Sequence, residues 1–180
     1  MKKTLPAFLL LLLFSGLANA QSADGQRLEV AVPFTDNMVL QRGVEVPVWG
    51  LDLPRSRVTV VFAGQKKTAE TDEHGNWMVQ LDPLAASHEQ RDFLVTNNRR
   101  EAIQLSGVLV GEVWFSSGQS NMVWTAGQSM CRDIANEIAR AEEEIPIREI
   151  NVSTVSALYP QKRATSDGGW KKASAAGGFS

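Results

Sequence analysis

The chain has 180 residues, with 18 Lys and Arg against 20 Asp and Glu and a formal net charge of −2. That mild acidity argues against nucleic acid or an anionic membrane surface as the main partner. A single cysteine, Cys131, excludes an internal disulfide, so packing must carry the stability.

In chain order, residues 1–20 read as a secretory signal peptide. Lys2 and Lys3 give the positive start, Leu5 to Leu17 the apolar run, and Ala18-Asn19-Ala20 the small residues at a cleavage site. The apolar run is short for a membrane span, and position 21 is Gln rather than the cysteine of a lipoprotein. The expectation is an exported protein, periplasmic or extracellular, free of the membrane after cleavage. Without the two leader lysines, 16 basic residues face 20 acidic ones, net −4.

Residues 27–106 read as all-β. Arg57 to Phe62 is rich in β-branched residues. Trp77, Val79 and Leu81 alternate with Met78 and Gln80, and Phe93 and Val95 alternate with Leu94 and Thr96. Turn signals separate them at residues 63–65, 74–76 and 97–98. Val44 to Trp49 is a further strand, in which Pro47 predicts an edge or a bulge. About seven short strands in this span predict a small β-sandwich of immunoglobulin-like type. Trp49, Trp77 and Trp114 fall in strand patterns and read as core.

The pattern changes near Val108. Residues 108–110 and 113–115 form an almost unbroken apolar run, the mark of a strand buried on both faces in a parallel sheet. Small polar residues follow, Ser116 to Asn121. Residues 129–144 carry Met130, Ile134 and Ile138 at helical spacing, and 147–152 read as a second strand. Cys131 falls in that helix and reads as a small apolar residue. Strand, loop, helix, strand makes one βαβ unit, the start of a second, α/β domain over 107–180. One such unit leaves a sheet face uncovered, so more chain or a partner is expected to cover it.

The chemistry concentrates in Gly118-Gln119-Ser120-Asn121-Met122. A serine just past the carboxyl end of a sheet strand presents its hydroxyl where open α/β sheets build their sites. Gly118 permits a sharp turn and close approach of substrate, and backbone N–H groups in such a turn face a developing oxyanion. Small polar residues after a strand also make ordinary loops, and these five residues alone leave both readings open. Trp124, just beyond, has two readings as well: the lining of a sugar site or plain packing.

The segment Gly111-Glu112-Val113-Trp114-Phe115-Ser116-Ser117-Gly118-Gln119-Ser120-Asn121-Met122 resembles the nucleophile segment of the sialate O-acetylesterase family, within the broader SGNH-type hydrolases. Pro33 to Arg42, Val46 to Gly50, Gly75 to Trp77, Trp170 and Gly178 to Ser180 are similar to further stretches of the family. The resemblance implies an α/β/α hydrolase domain that begins after the sandwich. It implies Ser120 as nucleophile and backbone oxyanion donor, with Gly118, Gln119 and Asn121 shaping the loop. It implies removal of acetyl groups from O-acetylated sugars of the sialate type through an acetyl-enzyme, with no metal and no organic cofactor.

In the family the acid and base lie far downstream of the serine. Here the sixty residues after Ser120 contain no histidine. His74 and His88 both precede it, in a turn and on a surface stretch, and the acids Asp133 and Asp167 that follow have no imidazole to orient. The expectation is therefore an N-terminal fragment, inactive alone, that lacks a C-terminal hydrolase half. The alternative is a non-catalytic secreted β-sandwich module that binds carbohydrate or protein.

Overall fold

The structure is a computed structural model that describes residues 27–120, 136, 147–159 and 163–172. The expected signal peptide, Asn121, Trp124, Cys131 and Asp133 lie outside the described residues. So does the expected helix, apart from Asn136, which is helical.

The first eight strands are β1 Glu29–Val30, β2 Val39–Gln41, β3 Val46–Leu51, β4 Arg57–Phe62, β5 Gln65–Glu70, β6 Asn76–Leu81, β7 Ser87–Asn97 and β8 Ala102–Gly111. They form two sheets. One is three-stranded, in the order β1-β3-β6; the other is five-stranded, in the order β2-β8-β7-β4-β5. Period-two alternation explains which side chains face inward. Val58, Val60 and Phe62 on β4, Val46 and Val48 on β3, Trp77, Val79 and Leu81 on β6, and Phe93 and Val95 on β7 are buried in one apolar cluster drawn from both sheets. Phe62 and Phe93 meet at its centre, with ring centroids 5.4 Å apart.

The expected edge at Pro47 takes a particular form. β3 lies between β1 and β6, but β1 pairs only with Gly50 and Leu51, so β6 alone borders Pro47 through Gln80. A residue without an N–H is tolerated there. The turn between β4 and β5 is the two-residue Ala63-Gly64, both at positive φ, 47° and 78°, which matches the twist of a tight hairpin.

Side chains close both ends of the sheets. Gln65 substitutes for a strand neighbour. Its Nε2 donates to the Asp82 carbonyl at 3.1 Å, and its Oε1 accepts from the Asp82 N–H at 2.8 Å. Lys67 Nζ binds both carboxylate oxygens of Asp82 at 2.7 Å. β5 is thereby tied to the residue just past β6. At the other end Asp52, fully buried, accepts from the Leu53 N–H at 2.7 Å and from Asn97 Nδ2 at 2.9 Å. Asn97 Nδ2 also donates to Glu101, at 2.7 Å. This carboxylate joins the end of β3 to the end of β7, one from each sheet. Ser56 and Thr71, both buried, complete the layer: Thr71 Oγ1 donates to the Leu53 carbonyl at 2.7 Å and accepts from the Ser56 N–H at 2.8 Å.

The second half of the sequence reading needs two corrections. Val108, Leu109 and Val110 are buried as the apolar run predicts, but they belong to β8 of the five-stranded sheet. β8 pairs antiparallel with β7 and parallel with the short β2 (Val39 opposite Leu109), so both of its hydrogen-bonding edges are already occupied. It is therefore not free to open a βαβ unit. The strand then stops at Gly111, and Trp114 and Phe115 are 86% and 89% exposed, so the expected burial of Trp114 is not found. The second correction concerns the expected strand 147–152. β9 Arg148–Glu149 pairs antiparallel with β10 Lys171–Lys172, and a bridge between Val152 and Ser166 extends the hairpin.

Candidate active site

The Ser120 segment leaves β8 under close restraint. Glu112 accepts from Gln41 Nε2 at 3.0 Å and from Arg42 Nε at 2.6 Å, and its carboxylate pairs with Arg42 Nη2 at 2.6 Å. The Val113 N–H donates to Gln41 Oε1 at 2.7 Å, and the Arg42 N–H to the Gly111 carbonyl at 2.9 Å. Gln41, and after it Arg42, hold the Glu112 carboxyl below its usual range. Trp114 to Gly118 lie outside regular secondary structure, and Trp114 to Ser120 are all exposed. The chain bends at Gln119 and enters a tight helical turn at Ser120. Gly118, Gln119 and Ser120 are thus solvent-facing.

The other titratable candidates stand apart from this loop. His74 lies exposed in the turn before β6, where its N–H donates to Asp72 Oδ1 at 2.8 Å. Asn76 binds the same carboxylate through its N–H and its Nδ2, both at 2.8 Å, and with His74 it keeps the Asp72 carboxyl below its usual value. His88 is exposed on β7. Asp167 accepts from Ser153 Oγ at 3.1 Å, a hairpin contact. Among the described residues no group of three His, Cys, Asp or Glu side chains lies close enough to hold a metal ion.

Sequence reasoning passed over the residues that hold this region. Trp170, singled out in the sequence only by the family resemblance, packs against the core of the β unit. Its Nε1 donates to the Pro33 carbonyl at 2.7 Å and its N–H to Thr35 Oγ1 at 3.3 Å. Gly169 makes that approach possible. At φ +71°, a Cβ there would lie 2.7 Å from Thr35 Oγ1. Arg148 Nη1 donates to the Asn37 carbonyl at 2.6 Å and to the Gly107 carbonyl. Partial burial pushes its pKa below the usual arginine value. Nothing in the spacing around Arg148 signals this role.

No family model matches the chain. The chain is similar to a solved carbohydrate acetylesterase from Xanthomonas citri, which superposes with a TM-score of 0.72 at 33% identity, over 82% of this chain and 33% of that one. Among curated proteins, mouse sialate O-acetylesterase is 29% identical over 167 residues, 87% of this chain and 29% of the mouse protein. The human sialate O-acetylesterase is 30% identical over 149 residues, 77% of this chain and 28% of the human one. The chain belongs to the sialate O-acetylesterase family and spans less than a third of the length of these relatives.

Proposed function

We propose that the protein is a carbohydrate O-acetylesterase in which Ser120 is the nucleophile. On this reading the β unit is an immunoglobulin-like sandwich, and the Ser120 segment opens an SGNH-type hydrolase domain. The protein is exported under the signal peptide of residues 1–20. The observation that carries the reading is the exposed Gly118-Gln119-Ser120 turn, in a chain related over most of its length to acetylesterases.

The chemistry follows from the ester. Ser120 Oγ attacks the acetyl carbonyl carbon, and its proton passes to a base. The tetrahedral oxyanion is held by backbone N–H groups, that of Ser120 among them. The C–O bond to the sugar breaks, and the sugar oxygen leaves as a hydroxyl with the proton returned by the base. Water then cleaves the acetyl-enzyme to acetate and free serine. The sixty residues after Ser120 contain no histidine, and His74 and His88 precede it, so no base or orienting acid is assigned among these 180 residues. A serine hydrolase deprived of its base loses roughly 10⁶-fold in kcat.

Two assays test this. Acetate release from O-acetylated sialic acid by the native exported protein is expected to vanish in Ser120→Ala. The purified 180-residue product is expected to release acetate no faster than buffer. Activity that survives Ser120→Ala in the native protein would overturn the reading. Saturable, Ser120-dependent turnover by the 180-residue product would overturn the reading that assigns no base among these residues.

A further inference from the structure

Both ends of the Ser120 segment are tied to one corner of the β unit. The outgoing end is held at β2, where Gln41 and Arg42 bind Glu112 and the Val113 N–H. The returning end is held a few residues earlier in the same stretch, where Arg148 binds the Asn37 carbonyl and Trp170 binds Pro33 and Thr35. Residues 33–42 therefore hold the chain both before Ser120, at residues 112 and 113, and after it, at residues 148 and 170.

The seat for Arg148 is specifically shaped. Asn37 and Gly107 both adopt left-handed backbone, at φ 61° and 68°, and a Cβ on Gly107 would lie 2.6 Å from Asn37 Oδ1. The Asn37 N–H donates to the Ser106 carbonyl at 2.8 Å, and Asp36 Oδ1 accepts from the Ser106 N–H at 2.7 Å and from its hydroxyl at 3.0 Å. These bonds fix two carbonyls so that both meet one nitrogen of the guanidinium. Glycine takes this conformation freely, whereas for Asn37 it is uncommon and is held by the surrounding bonds. Arg148 pairs in register with Lys172, two residues past Trp170, so the arginine and the tryptophan hold one hairpin at two points.

We propose that Arg148, assisted by Trp170, is a positioning residue: it fixes the returning end of the Ser120 segment onto the 33–42 corner and so sets where Ser120 lies relative to the β unit. The proposal rests on the reading of Ser120 as nucleophile and gives the β unit its part in that reading, a platform for the nucleophile. Catalytic groups need positioning to within about half an ångström by residues that are themselves locked.

The test reads position and not activity, so it stands or falls separately from the esterase assays. In the full 180-residue chain, Cys131→Ser removes the native thiol, and spin labels are placed at Ser120→Cys and at Lys66→Cys on the exposed face of β5. Pulsed dipolar spectroscopy then gives the spread of the distance between positions 66 and 120. Arg148→Gln is expected to widen that spread about twofold while the unfolding midpoint of the β unit stays put. Arg148→Lys, which keeps a cation able to donate to both carbonyls, is expected to restore most of the narrow distribution. Trp170→Phe, which removes only the indole N–H, is expected to widen it less. An unchanged spread in Arg148→Gln overturns the proposal, and so does a widening that appears only with loss of the cooperative unfolding of the β unit. Should Arg148→Gln fail to fold, the other two variants decide: equal widths in Arg148→Lys, Trp170→Phe and the parent would overturn it.

Discussion

Arg57–Phe62 and Val113–Phe115 look alike as sequence: both are dense in large apolar residues. In the structure they have opposite fates. Val58, Val60 and Phe62 are no more than 1% exposed, whereas Trp114 and Phe115 are 86% and 89% exposed. The difference lies in their neighbours. β4 has β5 on one side and β7 on the other, and its inner face meets side chains of β3 and β6. Residues 113–115 have left β8 at Gly111, and the one backbone donor fixed there, the Val113 N–H, is held by the Gln41 side chain and not by a strand. Apolar content determines what a segment gains from burial; the availability of a strand and a facing sheet determines whether it is buried.

The sharpest way to break this comparison is to truncate both segments. Phe62→Ala removes a fully buried ring at the centre of the cluster and is expected to cost about 3–5 kcal/mol, read by denaturant unfolding of the β unit. A loss below about 1 kcal/mol would mean that the cluster is not the core it looks to be. Next in size comes the polar layer. Asp52→Ala leaves the Leu53 N–H and one Asn97 donor without the carboxylate that joins the two sheets, and an expected loss of about 1–2 kcal/mol follows from leaving these half-buried donors unpaired. Trp114→Ala is expected to change stability by less than about 0.5 kcal/mol, since almost no apolar surface of that ring is covered. The smallest effect is electrostatic. Gln41 and Arg42 hold the folded Glu112 carboxyl below its unfolded value, so their contact contributes above the ordinary glutamate range and is lost as pH falls through the lower folded value. A carbon-13 titration of Glu112 is expected to show that depressed midpoint, and Gln41→Ala to move it back up.

Much of the β unit was legible in the sequence, because a strand with one buried face writes its period into the chain. The segment 57–62 matches β4 residue for residue, Trp77, Val79 and Leu81 mark the inner face of β6, and Phe93 and Val95 mark that of β7. The exposure of Ser120 was legible for a different reason: a glycine and small polar residues after an apolar run leave a serine in the open, and it is exposed. The domain assignment of the run 108–115 was not legible. A strand flanked on both edges inside a mixed sheet and a strand that opens a parallel sheet both appear as continuous apolar sequence, and only the pairing of β8 with β2 and β7 separates them. The seat of Arg148 was invisible for the same kind of reason, since its acceptors are the backbone carbonyls of Asn37 and Gly107, which any residue type supplies.

The sequence by itself determined the period of the strands, a turn within residues 63–65, the exposed serine and the likeness to sialate O-acetylesterases, because each is carried by residue types at short spacing. The tertiary structure alone decided that β8 closes against β2 and that Asp52 joins two sheets. It alone decided that Arg148 and Trp170 bring the returning chain back to the corner from which the Ser120 segment departs. Those contacts join residues tens to more than a hundred positions apart, and their partners are often main-chain groups, so no local pattern records them.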